Sequence, residues 1–215
     1  MQNPLKLLLA LLCLPAIGFA QHEHQGHSMM GTPPAHRPDS LASMSIYQLG
    51  STWRNESDQT VTIDTLIGRP IVLAMIYTSC TYVCPVIVED MRRIEGELSE
   101  SEREGVTFAL FSFDPERDAP GALAAYRKQR SLGDRGWQLF TGATDDILEL
   151  AAVLGVKYKK DGHGGYSHSN IITVLDAEGV VKHQQVGVRQ HPAVSVAALR
   201  MLADPPPAHQ TPAAH

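Results

Sequence analysis

IVLAMIYTSCTYVCPVIVEDMRRIEGEL, residues 71–98, decides how this chain folds. Ile71 to Tyr77 form an unbroken apolar run, the pattern of a strand covered on both faces. From about Val86 to Leu98 the periodicity changes. Ile87, Met91, Ile94 and Leu98 recur at spacings of three and four, as on the buried side of a helix. Between the two lies Thr78-Ser79-Cys80-Thr81-Tyr82-Val83-Cys84-Pro85, a strand-to-helix junction carrying two thiols, with the helix expected to begin at Pro85.

The same alternation continues on either side. Downstream, Val106 to Phe113 (VTFALFSF) reads as a second buried strand, and Asp114-Pro115-Glu116-Arg117-Asp118 as a turn into a helix from about Pro120 to Arg130. Trp137 to Thr141 is a third strand. Thr144-Asp145-Asp146 opens a helix ending near Gly155, its acidic first turn favoured by the helix dipole. Asp161 to Ser167 reads as a glycine-rich loop. Ile171 to Leu175 and Val180 to Val186 read as a hairpin about Asp176-Ala177-Glu178-Gly179, and Pro192 to Leu202 as the last helix. Upstream, Tyr47 to Trp53 is expected to be a first strand, with a short element at Val61-Thr62-Ile63. The order predicts an α/β domain, an open sheet with helices on both faces. Ligands of such sheets sit beyond the carboxyl ends of strands, where Cys80 lies.

The two ends of the chain have a different character. In residues 1–20 the single charge Lys6 precedes the apolar run Leu7 to Leu14, Pro15 and the small-residue site Gly18-Phe19-Ala20. This is the layout of a secretory signal peptide, and the run is shorter than the roughly 20 residues of a membrane span. An uncleaved N-terminal anchor is the alternative; bulky Leu12 before Cys13 does not suit lipidation. The expected location is therefore the periplasm or another exported compartment. Residues 21–40, rich in His, Met, Gly and Pro, and residues 204–215, rich in Pro, Ala and His, read as disordered tails around one domain, 41–203. With 18 basic and 23 acidic residues the net charge is −5, and no basic block points to nucleic acid or an anionic membrane.

Once the leader and Cys13 are set aside, Cys80 and Cys84 remain. Two thiols this close do not make a disulfide framework for a whole fold. A simple disulfide is the plain alternative, but the pair sits where α/β folds place function. C-x-x-x-C is one residue wider than the usual redox pair, so two thiolates can face a shared space; they suit Cu(I), and a third nitrogen ligand lets such a site hold Cu(II). His168, in Tyr166-Ser167-His168-Ser169, is a candidate for that nitrogen, although a lone histidine is more often a hydrogen-bonded residue near a core. His163, in the loop of Gly162, Gly164 and Gly165, competes for the role. Asp114 is a candidate for orienting a ligand from behind, while Asp118 reads as part of a turn. In the tails, His22, His24, His27, Met29, Met30, His36, His209 and His215 belong to solvated linkers or, alternatively, to a loose copper collector.

Cys80-Thr81-Tyr82-Val83-Cys84-Pro85 after IVLAMIYTS resembles the C-x-x-x-C-P motif of the SCO/SenC family. Asp114 to Asp118, Trp137 to Gly142, and Ser167-His168-Ser169 with its following strand and turn occur in that family's order, between Tyr47 and Ala203. The resemblance implies a thioredoxin-like fold, with a central mixed sheet, and copper bound by Cys80, Cys84 and His168. It implies a metallochaperone rather than an enzyme, delivering copper to, or preparing the thiols of, the copper A site in subunit II of cytochrome c oxidase. Copper donor proteins are further expected partners; nucleic acid and small-molecule substrates are not. Many family members carry a membrane anchor, and the His/Met tails lie outside the family pattern, so another exported copper enzyme as client, or general periplasmic copper handling, fits as well. The competing class is a thiol–disulfide oxidoreductase or peroxidase-like enzyme using Cys80 and Cys84. A structural or adhesive domain leaves the paired thiols unexplained.

Overall fold

The computed structural model describes residues 44–203. The leader, both tails and the tail histidines and methionines named above lie outside the described residues. In chain order the elements are β1 (Thr52–Asn55), β2 (Thr60–Thr62), β3 (Ile71–Ile76), α1 (Val83–Gly96), α2 (Glu100–Glu104), β4 (Thr107–Ser112), α3 (Pro120–Gln129) and β5 (Trp137–Gly142). They continue with α4 (Thr144–Val153), β6 (Tyr158–Lys160), β7 (Tyr166–His168), β8 (Ile171–Leu175), β9 (Val181–Val186) and α5 (Ala193–Ala203).

Seven strands form one mixed sheet in the order β2-β1-β5-β4-β3-β8-β9. Its centre is parallel: β4 lies between β3 and β5, with Ile71 opposite Thr107 and Phe108 opposite Trp137. Strand β8 runs antiparallel on the other side of β3, and β1 antiparallel to β5. Every residue of β3 and β4 is buried, which is why both read as unbroken apolar runs. Helices cover both faces. Neighbouring residues of β9 point to opposite sides: Gln184 donates to the Leu154 carbonyl behind α4, while Gln185 accepts from Ser195 of α5. The core is aromatic towards the β1 edge, where Trp53 meets Phe111 edge-on at 4.7 Å and Phe111 stacks on Phe140 at 4.7 Å. Such pairs contribute about 0.5–1.5 kcal/mol beyond the area they bury.

The sequence expectations fail in four places. Tyr47 to Trp53 is not one strand: Ser45 caps a 3-10 turn at Ile46–Leu49, Gly50 ends it at φ 60°, and the strand starts only at Thr52. A short helix at Glu100–Glu104 was not expected, although Ser99 and Glu102 form a capping box. Helix α1 begins two residues before Pro85, at Val83. The stretch expected to be a glycine-rich loop contains a hairpin, β6 and β7, that forms a two-stranded sheet of its own. Among the described residues no helix is long and apolar enough to cross a membrane.

Candidate metal centre

The carboxyl ends of β3 and β4 lie side by side, with Ile76 opposite Ser112, so the Cys80 loop and the turn from Asp114 share one edge of the sheet. Cys80 N–H donates to the Tyr77 carbonyl at 3.3 Å and closes the turn off the strand. Cys84 falls on the second residue of α1 and Pro85 on the third. Proline is tolerated there because the first N–H groups of a helix have no partner within it. Cys84 N–H instead donates to Cys80 Sγ at 3.4 Å. The Cys80 sulfur is thereby set at the positive end of the helix.

Both thiols are free; Cys84 is fully buried and Cys80 7% exposed. The thiol of Cys84 hydrogen-bonds Cys80, and against the cost of burial the N–H groups of Cys84, Tyr82 and Val83 add to that bond. The Cys80 pKa is lowered to about 4. Cys84 moves the opposite way, since its proton is held by Cys80 and burial disfavours its anion. Without metal the pair is one thiolate and one thiol sharing a proton.

His168 ends β7, paired with Tyr158. Its ring packs against Phe113 at 5.1 Å and Tyr77 at 6.1 Å between centroids. Nδ1 lies 3.0 Å from the Ser169 carbonyl, and Nε2 lies 3.8 Å from Cys84 Sγ. A carbonyl only accepts, so that contact assigns the proton to Nδ1 and turns the Nε2 lone pair towards the sulfur. The two sulfurs and one imidazole nitrogen lie within 4.8 Å of one another. Metal–sulfur and metal–nitrogen bonds of roughly 2.0–2.3 Å, as at zinc, separate trigonal donors by about 3.5–4 Å. The donors therefore fit a soft cation after sub-ångström to ångström closure. His163 does not join them. It is exposed at the hairpin tip, its N–H donating to Asp161 Oδ1 at 2.8 Å.

Asp114 is fully buried but reaches the hairpin: it pairs with Arg117 and accepts from Tyr166 Oη at 3.2 Å. Asp118, read from sequence as a turn residue, instead anchors the thiol loop. Its buried carboxylate accepts from Thr78 N–H at 2.9 Å, Thr78 Oγ1 at 2.5 Å and Ser112 Oγ at 2.6 Å. Tyr77 was also missed. Its hydroxyl accepts the Tyr166 N–H at 3.4 Å and hydrogen-bonds Cys80, and burial raises its pKa. The available signal was position, since Tyr77 and Asp118 flank the ends of the two central strands.

The chain is thus a thioredoxin-like α/β domain in which two thiols and an imidazole converge at the carboxyl edge of the sheet, a donor set suited to a soft metal ion. Within it, the chain belongs to the SCO1/SenC family, whose family profile matches residues 47–204. It is 29% identical over 132 residues to a Stutzerimonas stutzeri protein named for copper binding, a match covering 60% of this chain and 63% of that protein. The matched part is thus under two thirds of that relative's length. It is 26% identical over 144 residues to the SCO1 protein homolog of Bacillus subtilis, covering 66% of this chain and 74% of the homolog. In fold it is similar to the crystal structure of Arabidopsis thaliana ScoI with copper bound, at a TM-score of 0.62 and 20% identity over 70% of this chain and 96% of the other.

Proposed function

We propose that this protein is an exported copper carrier, in which Cys80 Sγ, Cys84 Sγ and His168 Nε2 hold one copper ion as cargo. The convergence of these three donors within 4.8 Å carries the reading. Two sulfurs favour Cu(I), and the imidazole extends the range to Cu(II). Cys80, already ionised at neutral pH, presents the first ligand; the Cys84 proton leaves as copper is taken up. Release to a client proceeds by ligand exchange at this edge of the sheet, where the Tyr82 side chain is 84% exposed. The client we propose is the copper A site of cytochrome c oxidase or another exported copper enzyme, and the leader-like residues 1–20 support a periplasmic location.

The division of charge between the thiols supports a second reading, a thiol–disulfide reductase. In that reaction the Cys80 thiolate attacks one sulfur of a client disulfide and the other leaves as a thiolate, which takes the Cys84 proton. Cys84 then attacks Cys80, releasing the second client sulfur as a thiolate that is protonated by water. The client gains two electrons and this chain ends as a disulfide.

Competition of the reduced protein with a chromophoric Cu(I) chelator tests the first reading. One tightly held copper is expected, lost in Cys80→Ser and Cys84→Ser and weakened at least tenfold in His168→Ala. Tight binding retained by both serine variants would remove the thiols from the site. Client reduction that survives His168→Ala, together with copper affinity that also survives it, would favour the reductase.

A further inference from the structure

The strand that carries His168 does not belong to the main sheet; among the described residues β6 and β7 pair only with each other. Side chains of the turn after β4 reach across to hold this hairpin. Arg117 forks: Nε binds the Asp114 carboxylate, and Nη1 donates to the Gly164 carbonyl at the hairpin tip at 2.5 Å. The same guanidinium lies 5.8 Å from the ring centroids of both Tyr77 and Tyr166. The second oxygen of Asp114 accepts from Tyr166 Oη, two residues before His168. Asp114 is itself immobilised, with its N–H on Ser112 Oγ at 3.0 Å and its carbonyl accepting from the Asp118 N–H at 2.9 Å. Lys160 also binds Glu116, at 2.8 and 2.9 Å, but both ends of that pair are exposed and it contributes little.

The geometry points to Arg117 and Asp114 as a latch that fixes the β6–β7 hairpin over the thiols and so sets the position of His168. They are positioning residues, not ligands. Arg117 joins the buried carboxylate, the two tyrosine rings and the hairpin tip, and its planar fork reaches two acceptors at once, which lysine's single ammonium does not. With the latch closed, the imidazole meets copper already ordered and loses little freedom on binding. With it open, the hairpin keeps its apolar packing, the Tyr166 N–H bond to the Tyr77 hydroxyl and the exposed Lys160–Glu116 pair, and the copper site falls back towards two sulfurs. This inference rests on the copper-carrier reading for its consequence, but not for its mechanics.

The test uses the full chain with Arg117→Lys, which keeps a cation beside Asp114, and Arg117→Met. In metal-free protein, amide hydrogen exchange over 158–168 should quicken roughly tenfold in both variants, the order expected for loss of a charge-assisted hydrogen bond, while exchange in β3 to β5 stays unchanged. Should Arg117→Met fail to fold, Arg117→Lys decides alone. In Cu(I) competition, Arg117→Lys should weaken binding roughly tenfold or more when His168 is present and not at all in a His168→Ala background. Unchanged exchange over 158–168, or equal weakening with and without His168, overturns the latch. If His168→Ala alone leaves Cu(I) affinity unchanged, the carrier reading fails instead, and the exchange measurement still decides whether the latch exists.

Discussion

Replacing Asp118 by alanine tests how the thiol loop is held. The carboxylate accepts three hydrogen bonds, one from a backbone N–H and two from hydroxyls, and the carboxylate and Ser112 are both fully buried. Hydrogen bonds to a charged group contribute about 1.5–3 kcal/mol each, but a hydroxyl can turn towards another acceptor, so full additivity overstates the loss. Allowing one full bond, two partial ones and a small cavity gives a destabilisation of about 3–5 kcal/mol. Asparagine keeps the shape and one acceptor, and should lose about 1–2 kcal/mol. In a domain of this size each kcal/mol lowers Tm by about 2–4 °C, so the alanine variant should melt roughly 6–20 °C below the parent and the asparagine variant between them. Urea unfolding of metal-free protein, read by tryptophan fluorescence, measures both. Because Thr78 lies two residues before Cys80, surviving folded Asp118→Ala should also bind Cu(I) roughly tenfold more weakly. An alanine variant within 1 kcal/mol of the parent, or one no worse than asparagine, would show that this carboxylate does not pin the loop.

At pH 6, iodoacetamide should modify Cys80 well before Cys84. The Cys80 pKa is lowered to about 4, so its reactive anion persists down to that pH, whereas Cys84 is shifted upward and shielded; peptide mass mapping that finds Cys84 labelled first would reverse the assignment. The same shift fixes a sign for metal-free stability: a depressed thiol pKa stabilises the fold fully above the unfolded thiol value and the contribution is lost as pH falls towards about 4, which acid titration of Cys80→Ser against the parent should reveal. At Gly165 an added Cβ would lie 2.7 Å from Asp161 Oδ2 and 3.2 Å from the Tyr77 hydroxyl, so Gly165→Ala should push these two side-chain ends aside and weaken Cu(I) binding by about two- to threefold without removing a donor, as chelator competition would show. His163→Ala, by contrast, should leave that affinity within about a factor of two, since surface changes away from a site are nearly neutral.

Much of the architecture was legible because its central strands are buried on both faces and carry runs, IVLAMIY and VTFALFSF, that no surface element would tolerate. The thiols were legible because their spacing at a strand-to-helix junction has few structural uses. The hairpin holding His168 was not. Its strands have three residues each, YKK and YSH, and neither is long or apolar enough to show a period. Without it, nothing in the sequence distinguished His168 from His163 by position. Pro85 hides the early start of α1: it reads as a helix-opening residue but sits on the third residue of the helix, where its missing N–H is equally harmless. Asp118 looked like turn chemistry because its partners, Thr78 and Ser112, are brought to it only by the parallel pairing of β3 and β4.

X-ray absorption at the copper edge of the reduced, copper-loaded full chain addresses the copper site itself. Coordination by two sulfur scatterers and one imidazole nitrogen is expected, with the imidazole contribution lost in His168→Ala while both sulfurs remain. A spectrum of nitrogen and oxygen ligands without sulfur, or one identical with and without His168, would contradict it.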